Sequence, residues 1–399
     1  MNQQGVAPSP PMTVGVIGAG TMGAGIAQAA LTAGHTVLLH DDDPSALERG
    51  RARVEAALDR MLEKGLLSPE GRDDTVGRLR PASGLNQVAA DSDLVIEAVL
   101  EDLGLKRSIF RALDLNAHPE VPLATNTSSL SVAEIAEATH HRERVLGLHF
   151  FNPVALMALV EVVAAEGTGR DALNAGLEFA AGLGKTSVLC ADAPGFIVNR
   201  VNRAFTLEPL RMLEAGESDV RAIDAAIEAA GYRMGPFRLM DLVGIDINWA
   251  VARSLYQGFD EAGRFRPSPL QAEMVEAGTL GRKTGRGFYR YDDPDSALET
   301  GPPEAATNDA ALSADQIVER VNLAIVNEAY RAVEERVASP QDIDLAMKLG
   351  ANHPMGPFER AGEIGLRGVV EGLRRQHEVA ALSADQYEIA PLLWQLATA

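Results

Sequence analysis

The segment Thr13-Val-Gly-Val-Ile17-Gly18-Ala-Gly20-Thr-Met-Gly23 gives the clearest indication of the fold of the first half of the chain. A short apolar strand over residues 13–17 runs into a Gly-x-Gly-x-x-Gly turn. A helix over residues 22–33 and a second strand over residues 36–40 follow that turn. A strand, a glycine-rich turn and a helix in this order predict a β-α-β unit that binds a dinucleotide.

Each glycine of this turn has its own physical task. Gly18 permits the tight turn, Gly20 lets the backbone approach a pyrophosphate, and Gly23 allows the helix to pack closely on the strand. The first helical residues, Thr21 and Met22, present free N–H groups and the positive end of the helix dipole to an anion. These five residues are therefore predicted cofactor contacts, and the alternative is a glycine-rich turn without a ligand.

Asp41 indicates which dinucleotide the turn binds. It ends the second strand, where a carboxylate can accept hydrogen bonds from the adenine-ribose hydroxyls. The same charge repels a 2′-phosphate, and Asp42 and Asp43 add to that repulsion. The sequence therefore predicts NAD rather than NADP.

Further apolar stretches extend the pattern. A charged amphipathic helix covers residues 44–64, and buried strands are predicted at 93–99, 121–125, 145–150 and 159–163. Strands that alternate with helices predict a Rossmann-like, doubly wound α/β domain with a parallel sheet, over residues 12–191.

After about residue 190 the helical period dominates, and this part contains an internal repeat. Arg200-Val-Asn202 recurs as Arg320-Val-Asn322, and Met234-Gly-Pro-Phe237 recurs as Met355-Gly-Pro-Phe358. We therefore expect two all-α repeat domains, over residues 192–292 and 309–399, joined by a flexible linker over 293–308. Asn199 of the first repeat aligns with Glu319 of the second.

Composition excludes several classes of protein. A net charge of −20 argues against a nucleic-acid partner, because phosphate contacts need a basic surface. No apolar run approaches the ~20 residues of a membrane span. The single cysteine, Cys190, excludes an intramolecular disulfide and cysteine-rich zinc sites, and no metal-ligand cluster is visible. Residues 1–11 have no signal-peptide pattern, so we expect a disordered lead-in and a cytoplasmic protein.

His149 is the candidate for acid–base chemistry. It ends an apolar strand, and the loop after it should lie at the carboxyl edge of the sheet, where open α/β folds bind ligands. Glu161 stands among branched aliphatic residues, where a carboxylate is costly unless it is paired. A nearby carboxylate would fix the tautomer of the imidazole and stabilise the imidazolium. The alternatives are a core histidine and a local salt bridge.

The turn Thr125-Asn-Thr-Ser-Ser-Leu130 directly follows a predicted strand. It leads to Ser131, which with Glu134 has the spacing of a capping box for the next helix. A turn in this place can also direct a hydroxyl or an amide into the cleft.

These residues carry a resemblance to the L-3-hydroxyacyl-CoA dehydrogenase family, which includes 3-hydroxybutyryl-CoA dehydrogenases. The matching motifs follow the family order over nearly the whole chain. They are Val16-Ile-Gly-Ala-Gly-Thr-Met-Gly-Ala-Gly-Ile26, Glu97-Ala-Val-Leu-Glu101 with Lys106, Asn126-Thr-Ser-Ser-Leu130, His149-Phe-Phe-Asn-Pro153, Glu161, Asp192-Ala-Pro-Gly-Phe-Ile-Val-Asn-Arg200 and Met234-Gly-Pro-Phe237.

The resemblance implies roles for the matched catalytic positions. His149 is implied as the general base and Glu161 as its orienting partner. Ser128 and Asn199 are implied to contact the 3-oxygen and the thioester region of the substrate, and Asn152 to hold the catalytic loop.

The resemblance also implies binding roles. Glu101, Lys106 and Asn126 are implied to line the nicotinamide half of the NAD site, and Lys64 to face the CoA moiety. Ala57 departs from the family, because some relatives have a serine there near CoA.

The implied reaction is the reversible, NAD-dependent oxidation of a short (S)-3-hydroxyacyl-CoA, such as 3-hydroxybutyryl-CoA, as in fatty acid β-oxidation. Three alternatives stay open: a 3-hydroxyadipyl-CoA dehydrogenase of aromatic degradation, a dehydrogenase of a non-CoA 3-hydroxy acid, and a non-catalytic NAD-binding sensor. We expect a monomer or a homodimer, with the second helical domain as an intrachain packing partner.

Overall fold

The computed structural model describes residues 10–291, 311–379 and 384–399. The predicted linker 293–308 and all but the last two residues of the predicted lead-in lie outside these ranges. The chain divides into two compact units, Met1–Phe196 and Ile197–Ala399. No helix in the described ranges is long and apolar enough to cross a membrane.

The first unit is built on one eight-stranded sheet, with the strand order β3-β2-β1-β4-β5-β6-β7-β8 in its described part. The chain adds β2 and β3 on one side of β1 and β4 on the other, so the order of the strands reverses between the parallel neighbours β1 and β4. Open α/β sheets bind ligands at such a switch point. The strands are β1 (Thr13–Ile17), β2 (Thr36–His40), β3 (Leu79–Pro81), β4 (Leu94–Glu97), β5 (Leu123–Thr125), β6 (Val145–Phe150), β7 (Leu159–Ala164) and β8 (Thr186–Ala191).

Seven helices accompany the sheet in the described part of this unit. Most begin with a side chain that accepts a backbone N–H of the first turn; Asp43, for example, accepts from the N–H of Ser45 and is followed by a proline at the first helical position. The helices are α1 (Thr21–Thr32), α2 (Pro44–Glu63), α3 (Pro69–Gly77), α4 (Leu85–Asp91), α5 (Leu103–Asn116), α6 (Val132–Ala136) and α7 (Arg170–Gly182).

The Rossmann-like organisation predicted for the first unit is confirmed, but the expectation of a purely parallel sheet was wrong at one strand pair. Strands β6 and β7 are antiparallel, with Phe150 opposite Val160 and Gly147 opposite Val163. Only eight residues connect them, and a parallel crossover needs a dozen or more. The carboxyl end of β6 and the start of β7 therefore lie at the same edge of the sheet.

The core of the first unit contains the buried strand residues together with the inner faces of α1, α2 and α7. Val14, Val16 and Leu39 from the strands pack in one cluster with Ile26 of α1 and Phe179 of α7. This cluster fixes the strand ends and so the positions of the loops that follow them.

The second unit is helical. Short 3₁₀ turns at Gly263–Phe265 and Ala384–Tyr387 interrupt the α-helices. The described helices are α8 (Val198–Val201), α9 (Arg203–Glu214), α10 (Val220–Ala229), α11 (Pro236–Val243), α12 (Ile245–Gly258), α13 (Pro269–Glu276), α14 (Ala314–Glu334), α15 (Pro340–Gly350), α16 (Pro357–Ile364), α17 (Leu366–Val379) and α18 (Pro391–Thr398).

Candidate active site

His149 and Glu161 are direct cross-strand partners on the antiparallel strands β6 and β7. Directly opposed residues of a strand pair have neighbouring Cβ atoms and project to the same face. Nδ1 of His149 lies 2.6 Å from Oε2 of Glu161. The side chain of His149 is 7% exposed and that of Glu161 is fully buried. The structure therefore brings together the two residues that the sequence paired on electrostatic grounds.

This contact fixes the tautomer of the imidazole. An ionised carboxylate has no proton to give, so Nδ1 of His149 must donate its N–H to Glu161. The other ring nitrogen, Nε2, is then left as an acceptor and can take a proton. The pair has the geometry of a general base with an orienting carboxylate.

Two aromatic rings flank the imidazole. The ring of Phe151 lies 4.5 Å from that of His149, centroid to centroid, and the ring of Phe196 lies at 5.7 Å. Phe196 is buried and has a φ of 50°, a left-handed conformation that is rare for a bulky side chain. These apolar contacts hold the imidazole plane and limit the access of water to the His149–Glu161 pair.

Glu101 is the centre of a second group of contacts, after β4. One of its carboxylate oxygens accepts the hydroxyl of Thr127 at 2.6 Å and the backbone N–H of Ser128 at 2.9 Å. The backbone N–H and the hydroxyl of Ser129 reach the same oxygen, each at 3.0 Å. Glu101 therefore orders the turn that carries Ser128.

The buried ammonium of Lys106 contacts the carboxylate of Glu101. It lies 2.7 Å from Oε1 of Glu97 and 3.4 Å from Oε2 of Glu101. Burial alone would raise the pKa of Glu101, but the charge of Lys106 and the hydrogen bonds from the turn outweigh it and lower that pKa. Glu101 is therefore held in its charged form, with one carboxylate oxygen facing the Ser128 turn.

Asn126 connects two strand ends. Its backbone N–H donates to the carbonyl of Glu97 at 2.8 Å, and its side-chain oxygen accepts the N–H of Phe150 at 2.9 Å. Because Phe150 directly follows His149, this contact ties the end of β6 to the Ser128 turn.

The glycine-rich turn has the shape that a dinucleotide needs. Gly18 has a φ of +96°, and a Cβ at this position would lie 2.6 Å from the carbonyl oxygen of Ala98. A Cβ on Gly23 would lie 1.8 Å from the carbonyl oxygen of Gly18. Around Gly20, in contrast, a Cβ would meet no atom within 4 Å. The tight turn and the close packing are thus explained, and open space remains where a pyrophosphate would approach.

Asp41 closes this turn from the end of β2. One carboxylate oxygen accepts the N–H of Ala19 at 2.8 Å, and the other accepts the N–H of Asp43 at 3.0 Å. Each carboxylate oxygen can accept more than one hydrogen bond, so both keep capacity for ribose hydroxyls. Asp41 is therefore anchored beside the turn that it was predicted to serve.

The remaining predicted residues lie on the first turn of α1, the loop after β6, the end of α2 and α8. Thr21 and Met22 form the first turn of α1, with Thr21 exposed. Asn152 is exposed on the loop after β6, and Lys64 is exposed at the carboxyl end of α2. Asn199 is half-buried on α8, in the second unit. The roles of these residues stay predictions.

Lys185 is a site residue that sequence reasoning missed. Its buried ammonium donates to the carbonyls of Val154 and Met157, at 2.6 and 2.7 Å. Both carbonyls belong to the loop that begins after His149 and Phe150, so Lys185 fixes that loop. A lysine next to Gly184 gives no separate signal in a single sequence.

Glu97 and Asp192, two further residues of the matching motifs, hold the chain segments on either side of Ser128. Glu97, at the end of β4, accepts the hydroxyl of Thr125 at 2.7 Å as well as Lys106. Asp192 accepts the hydroxyl of Ser131 at 2.7 Å and the N–H of Ala133 at 2.8 Å, at the start of α6. Both carboxylates therefore position the segment around Ser128.

Comparison with known proteins agrees with the resemblance found in the motifs. The family "3-hydroxyacyl-CoA dehydrogenase, NAD binding domain" matches residues 13–193, and "3-hydroxyacyl-CoA dehydrogenase, C-terminal domain" matches residues 195–291 and 317–399. The 3-hydroxyadipyl-CoA dehydrogenase of Escherichia coli K12 is 35% identical, over 96% of this chain and 97% of that protein.

Two further relatives are named 3-hydroxybutyryl-CoA dehydrogenase. The 3-hydroxybutyryl-CoA dehydrogenase of Mycobacterium tuberculosis is 43% identical, over 70% of this chain and 98% of that protein. The crystal structure of 3-hydroxybutyryl-CoA dehydrogenase from Escherichia coli K12 superposes with a TM-score of 0.89 at 34% identity, covering 98% of both chains. The chain belongs to the 3-hydroxyacyl-CoA dehydrogenase family of NAD-dependent oxidoreductases.

Proposed function

We propose that this chain oxidises the 3-hydroxyl group of (S)-3-hydroxyacyl-CoA thioesters to a ketone, reversibly, with His149 as the general base. The observation that carries the proposal is the 2.6 Å contact between Nδ1 of His149 and Oε2 of Glu161 at the carboxyl edge of the sheet. The relatives named 3-hydroxybutyryl-CoA dehydrogenase support a short acyl group as the substrate.

The residues present fit NAD. The open space at Gly20, the positive φ of Gly18 and the carboxylate of Asp41 match the pyrophosphate and the ribose of the cofactor. When bound, NAD⁺ accepts the hydride from C3 of the substrate. Lys106, Glu101 and Asn126 would line the nicotinamide half of this site.

His149 and Glu161 carry out the proton transfer to and from the 3-hydroxyl group. Nε2 of His149 takes the proton of the 3-hydroxyl group as the alcohol is oxidised, and Glu161 stabilises the imidazolium that results. In the reverse direction the imidazolium returns the proton to the oxygen. General acid–base help of this kind is typically worth ~10²–10⁴-fold in rate.

Three polar residues would position the substrate. Ser128, held by Glu101, and Asn199, on α8, would contact the 3-oxygen and the thioester region. Asn152 would support the catalytic loop that Lys185 fixes. The ordered surroundings of Ser128 support a positioning role, because a held hydroxyl loses little freedom when a substrate binds.

CoA is an anion, and the chain has a net charge of −20, so its phosphates need a local basic group. We assign Lys64 to this task. It is exposed at the carboxyl end of α2, a helix that also carries four arginines. Ala57, on the same helix, removes the hydroxyl that some relatives offer.

We also propose that the helical region consists of two copies of one domain, over residues 192–292 and 309–399. Two local structures support this. Asp224 accepts the N–H of Phe237 at 2.9 Å, and Asp344 accepts the N–H of Phe358 at 2.8 Å. The helices α9 to α13 and α14 to α18 then follow in the same order with nearly the same spacing.

Reciprocal contacts support packing of the second copy on the first within the chain. Nε of Arg200 lies 2.6 Å from Glu328, and Nε of the equivalent Arg320 lies 2.9 Å from the equivalent Glu208. Contacts that repeat with their partners exchanged are typical of a two-fold symmetric interface. The chain can therefore satisfy such an interface internally, as a monomer, or use other surfaces to form a homodimer.

The proposal is tested by NADH oxidation at 340 nm with acetoacetyl-CoA, with acetoacetate and NADPH as controls. We expect turnover with the thioester and NADH, and at least ~10-fold lower kcat/KM with either control. Acetoacetate lacks the CoA moiety and its charged contacts, and NADPH adds a 2′-phosphate that the charge of Asp41 repels. Equal turnover of free acetoacetate would point to a non-CoA substrate. NADH binding without turnover of any 3-oxoacyl thioester would favour the sensor.

A further inference from the structure

Arg203, at the start of α9, is buried without a counter-ion. The residue as a whole is 6% exposed. Its contacts are two long hydrogen bonds from Nη1, to the hydroxyl of Thr206 and to the carbonyl of Asn248, both at 3.4 Å. Nε is buried and has no hydrogen-bond partner in the described part of the chain. Burial lowers the pKa of Arg203 to about 10.

This arrangement differs from that of the buried Arg200 and the half-buried Arg320 of the same unit. Arg200 is paired with Glu328 and Glu335, and Arg320 with Glu208 and Glu217. Arg203 forms no ion pair with any described residue. A buried cation is strongly destabilising unless a negative charge compensates it, so an unpaired one needs an explanation.

A buried polar group surrounds Arg203. The side-chain oxygen of Asn248 accepts a hydrogen bond from Nε2 of Gln271 at 2.8 Å, and Oε1 of Gln271 is buried without a partner. Thr206 and Asn248 are also buried. Arg203 and Gln271 thus each keep one unsatisfied polar atom, which is rare in protein interiors.

The second copy shows that the fold does not need these polar residues. The two copies are matched through α9 and α14, α12 and α17, and α13 and α18. In the second copy, apolar residues occupy all the positions equivalent to Arg203, Thr206, Asn248 and Gln271. They are Leu323, Val326, Val369 and Leu393. All four pack in one hydrophobic cluster and are at most 1% exposed.

The same helical scaffold therefore has a hydrocarbon core in one copy and an unpaired guanidinium in the other. A purely structural demand would have been met by the apolar set, at lower electrostatic cost. The polar set in the first copy is explained if a negatively charged ligand group completes it.

The position of Arg203 indicates which ligand group this is. The backbone stays in the right-handed helical region at Asn202, between α8 and α9, so Arg203 follows Asn199 by one helical turn. Residues four apart on a helix have Cβ atoms about 5–6 Å from each other. Three carbon–carbon bonds of about 1.5 Å each lead from C3 of an adipyl chain to its terminal carboxyl carbon, a comparable span.

We propose that Arg203 binds the terminal carboxylate of an acyl-CoA whose acyl chain carries a second acid group. This inference rests on the proposed function, in which Asn199 contacts the reacting end of the same substrate. A planar guanidinium can donate two parallel hydrogen bonds to a carboxylate, and burial strengthens them. The enzyme would then prefer a dicarboxylic 3-hydroxyacyl-CoA to a plain one of similar length.

The test compares 3-oxoadipyl-CoA with 3-oxohexanoyl-CoA, which has the same chain length and no terminal carboxylate. Wild-type enzyme and Arg203→Leu are assayed by NADH oxidation with both thioesters and with acetoacetyl-CoA. We expect wild type to prefer 3-oxoadipyl-CoA by at least ~10-fold in kcat/KM. Arg203→Leu should lose at least ~100-fold with 3-oxoadipyl-CoA and change less than about 3-fold with the two substrates that lack a terminal carboxylate.

Two further variants guard against a folding artefact. Arg203→Lys keeps the charge without the planar fork and should retain an intermediate preference. The quadruple variant Arg203→Leu, Thr206→Val, Asn248→Val, Gln271→Leu imports the four apolar residues of the second copy. It should fold with an unchanged or higher Tm and still turn over acetoacetyl-CoA.

Equal losses on all three substrates in these variants would show a structural role and overturn the inference. So would the absence of any preference for 3-oxoadipyl-CoA in the wild type. Either result, with acetoacetyl-CoA turnover intact in the wild type, would leave the proposed dehydrogenase function standing. No turnover by the wild type with any thioester would instead contradict the proposed function itself.

Discussion

Nδ1 of His149 lies 2.6 Å from Oε2 of Glu161, across a pair of strands that run antiparallel within an otherwise parallel sheet. The reversal of β7 places both residues at the carboxyl edge, where the glycine-rich turn also lies. Had β7 been parallel, its first residues would lie at the opposite edge. The strand direction is thus part of the proposed catalytic arrangement.

The first prediction concerns Glu161→Gln. A glutamine can donate its amide N–H to Nδ1 of His149, which moves the imidazole proton to Nε2 and removes the base. We expect kcat for 3-hydroxybutyryl-CoA oxidation to fall ~10²–10⁴-fold, with the Kd for NADH unchanged. Glu178→Gln, an exposed change on α7, is the matched control. A Glu161→Gln enzyme with wild-type kcat would show that the carboxylate does not orient the base.

The second prediction concerns Asp41→Ala. Asp41 orders the turn through Ala19 and would accept the ribose hydroxyls of NAD. Hydrogen bonds to a charged group are worth about 1.5–3 kcal/mol, so we expect the Kd for NADH to rise at least ~10-fold. The change should be smaller for NADPH, because the repelling charge is removed at the same time. Fluorescence titration measures both, with the exposed change Glu178→Gln as the control. An unchanged NADH/NADPH affinity ratio would contradict the assignment.

The third prediction is a pH dependence of stability. His353 is buried, and its Nε2 donates a hydrogen bond to the side-chain oxygen of Asn202 at 2.7 Å. Burial, with a smaller effect of Arg360, lowers the pKa of His353 to about 3. In the unfolded chain the imidazole titrates near 6.5. As the pH falls below about 6.5, the unfolded chain binds a proton that the folded chain does not, so stability decreases.

We therefore expect His353 to account for a loss of roughly 2 kcal/mol of unfolding free energy between pH 6.5 and pH 5, because one pKa unit is worth about 1.4 kcal/mol. Asp224, whose pKa is raised to about 6, acts in the opposite direction. Denaturant unfolding of wild type and His353→Gln at both pH values isolates the histidine, since Asp224 is common to both. Identical pH dependence in the two proteins would refute this prediction.

The fourth prediction concerns the second helical copy. Deletion of residues 309–399 removes the partners of the fully buried side chain of Arg200 and exposes an apolar face. We expect the truncated chain to aggregate or to dimerise, as measured by analytical ultracentrifugation beside the full-length protein. A soluble, fully active monomer after the deletion would show that the second copy is not a packing partner.

Much of the first unit could be predicted from sequence, because many of its strands are apolar runs that end at a glycine or a polar residue. The strands that were predicted over residues 13–17, 36–40 and 145–150 have those bounds in the structure. The short β3 was missed, since it has three residues and ends at Pro81. β8 was missed as well, because it mixes polar and apolar residues and Leu189 is 42% exposed.

The direction of β7 was readable but overlooked. An eight-residue connection without a helix cannot make a parallel crossover, so the loop length alone indicated an antiparallel pair. The Glu97–Lys106 pair had the same kind of signal as Glu161, a carboxylate in an apolar strand. Lys185 and the isolation of Arg203 gave no such signal, because they depend on which backbone carbonyls and side chains the fold brings near.

The assignment of His149 as the general base is tested most directly by the oxidation of 3-hydroxybutyryl-CoA by His149→Gln, with NADH binding measured on the same preparation. We use His118→Gln, an exposed change, as the matched control. We expect His149→Gln to bind NADH with wild-type affinity and to lose at least ~10²-fold in kcat, while His118→Gln keeps wild-type kinetics. A His149→Gln enzyme that binds NADH and turns over at the wild-type rate would contradict the assignment of the base.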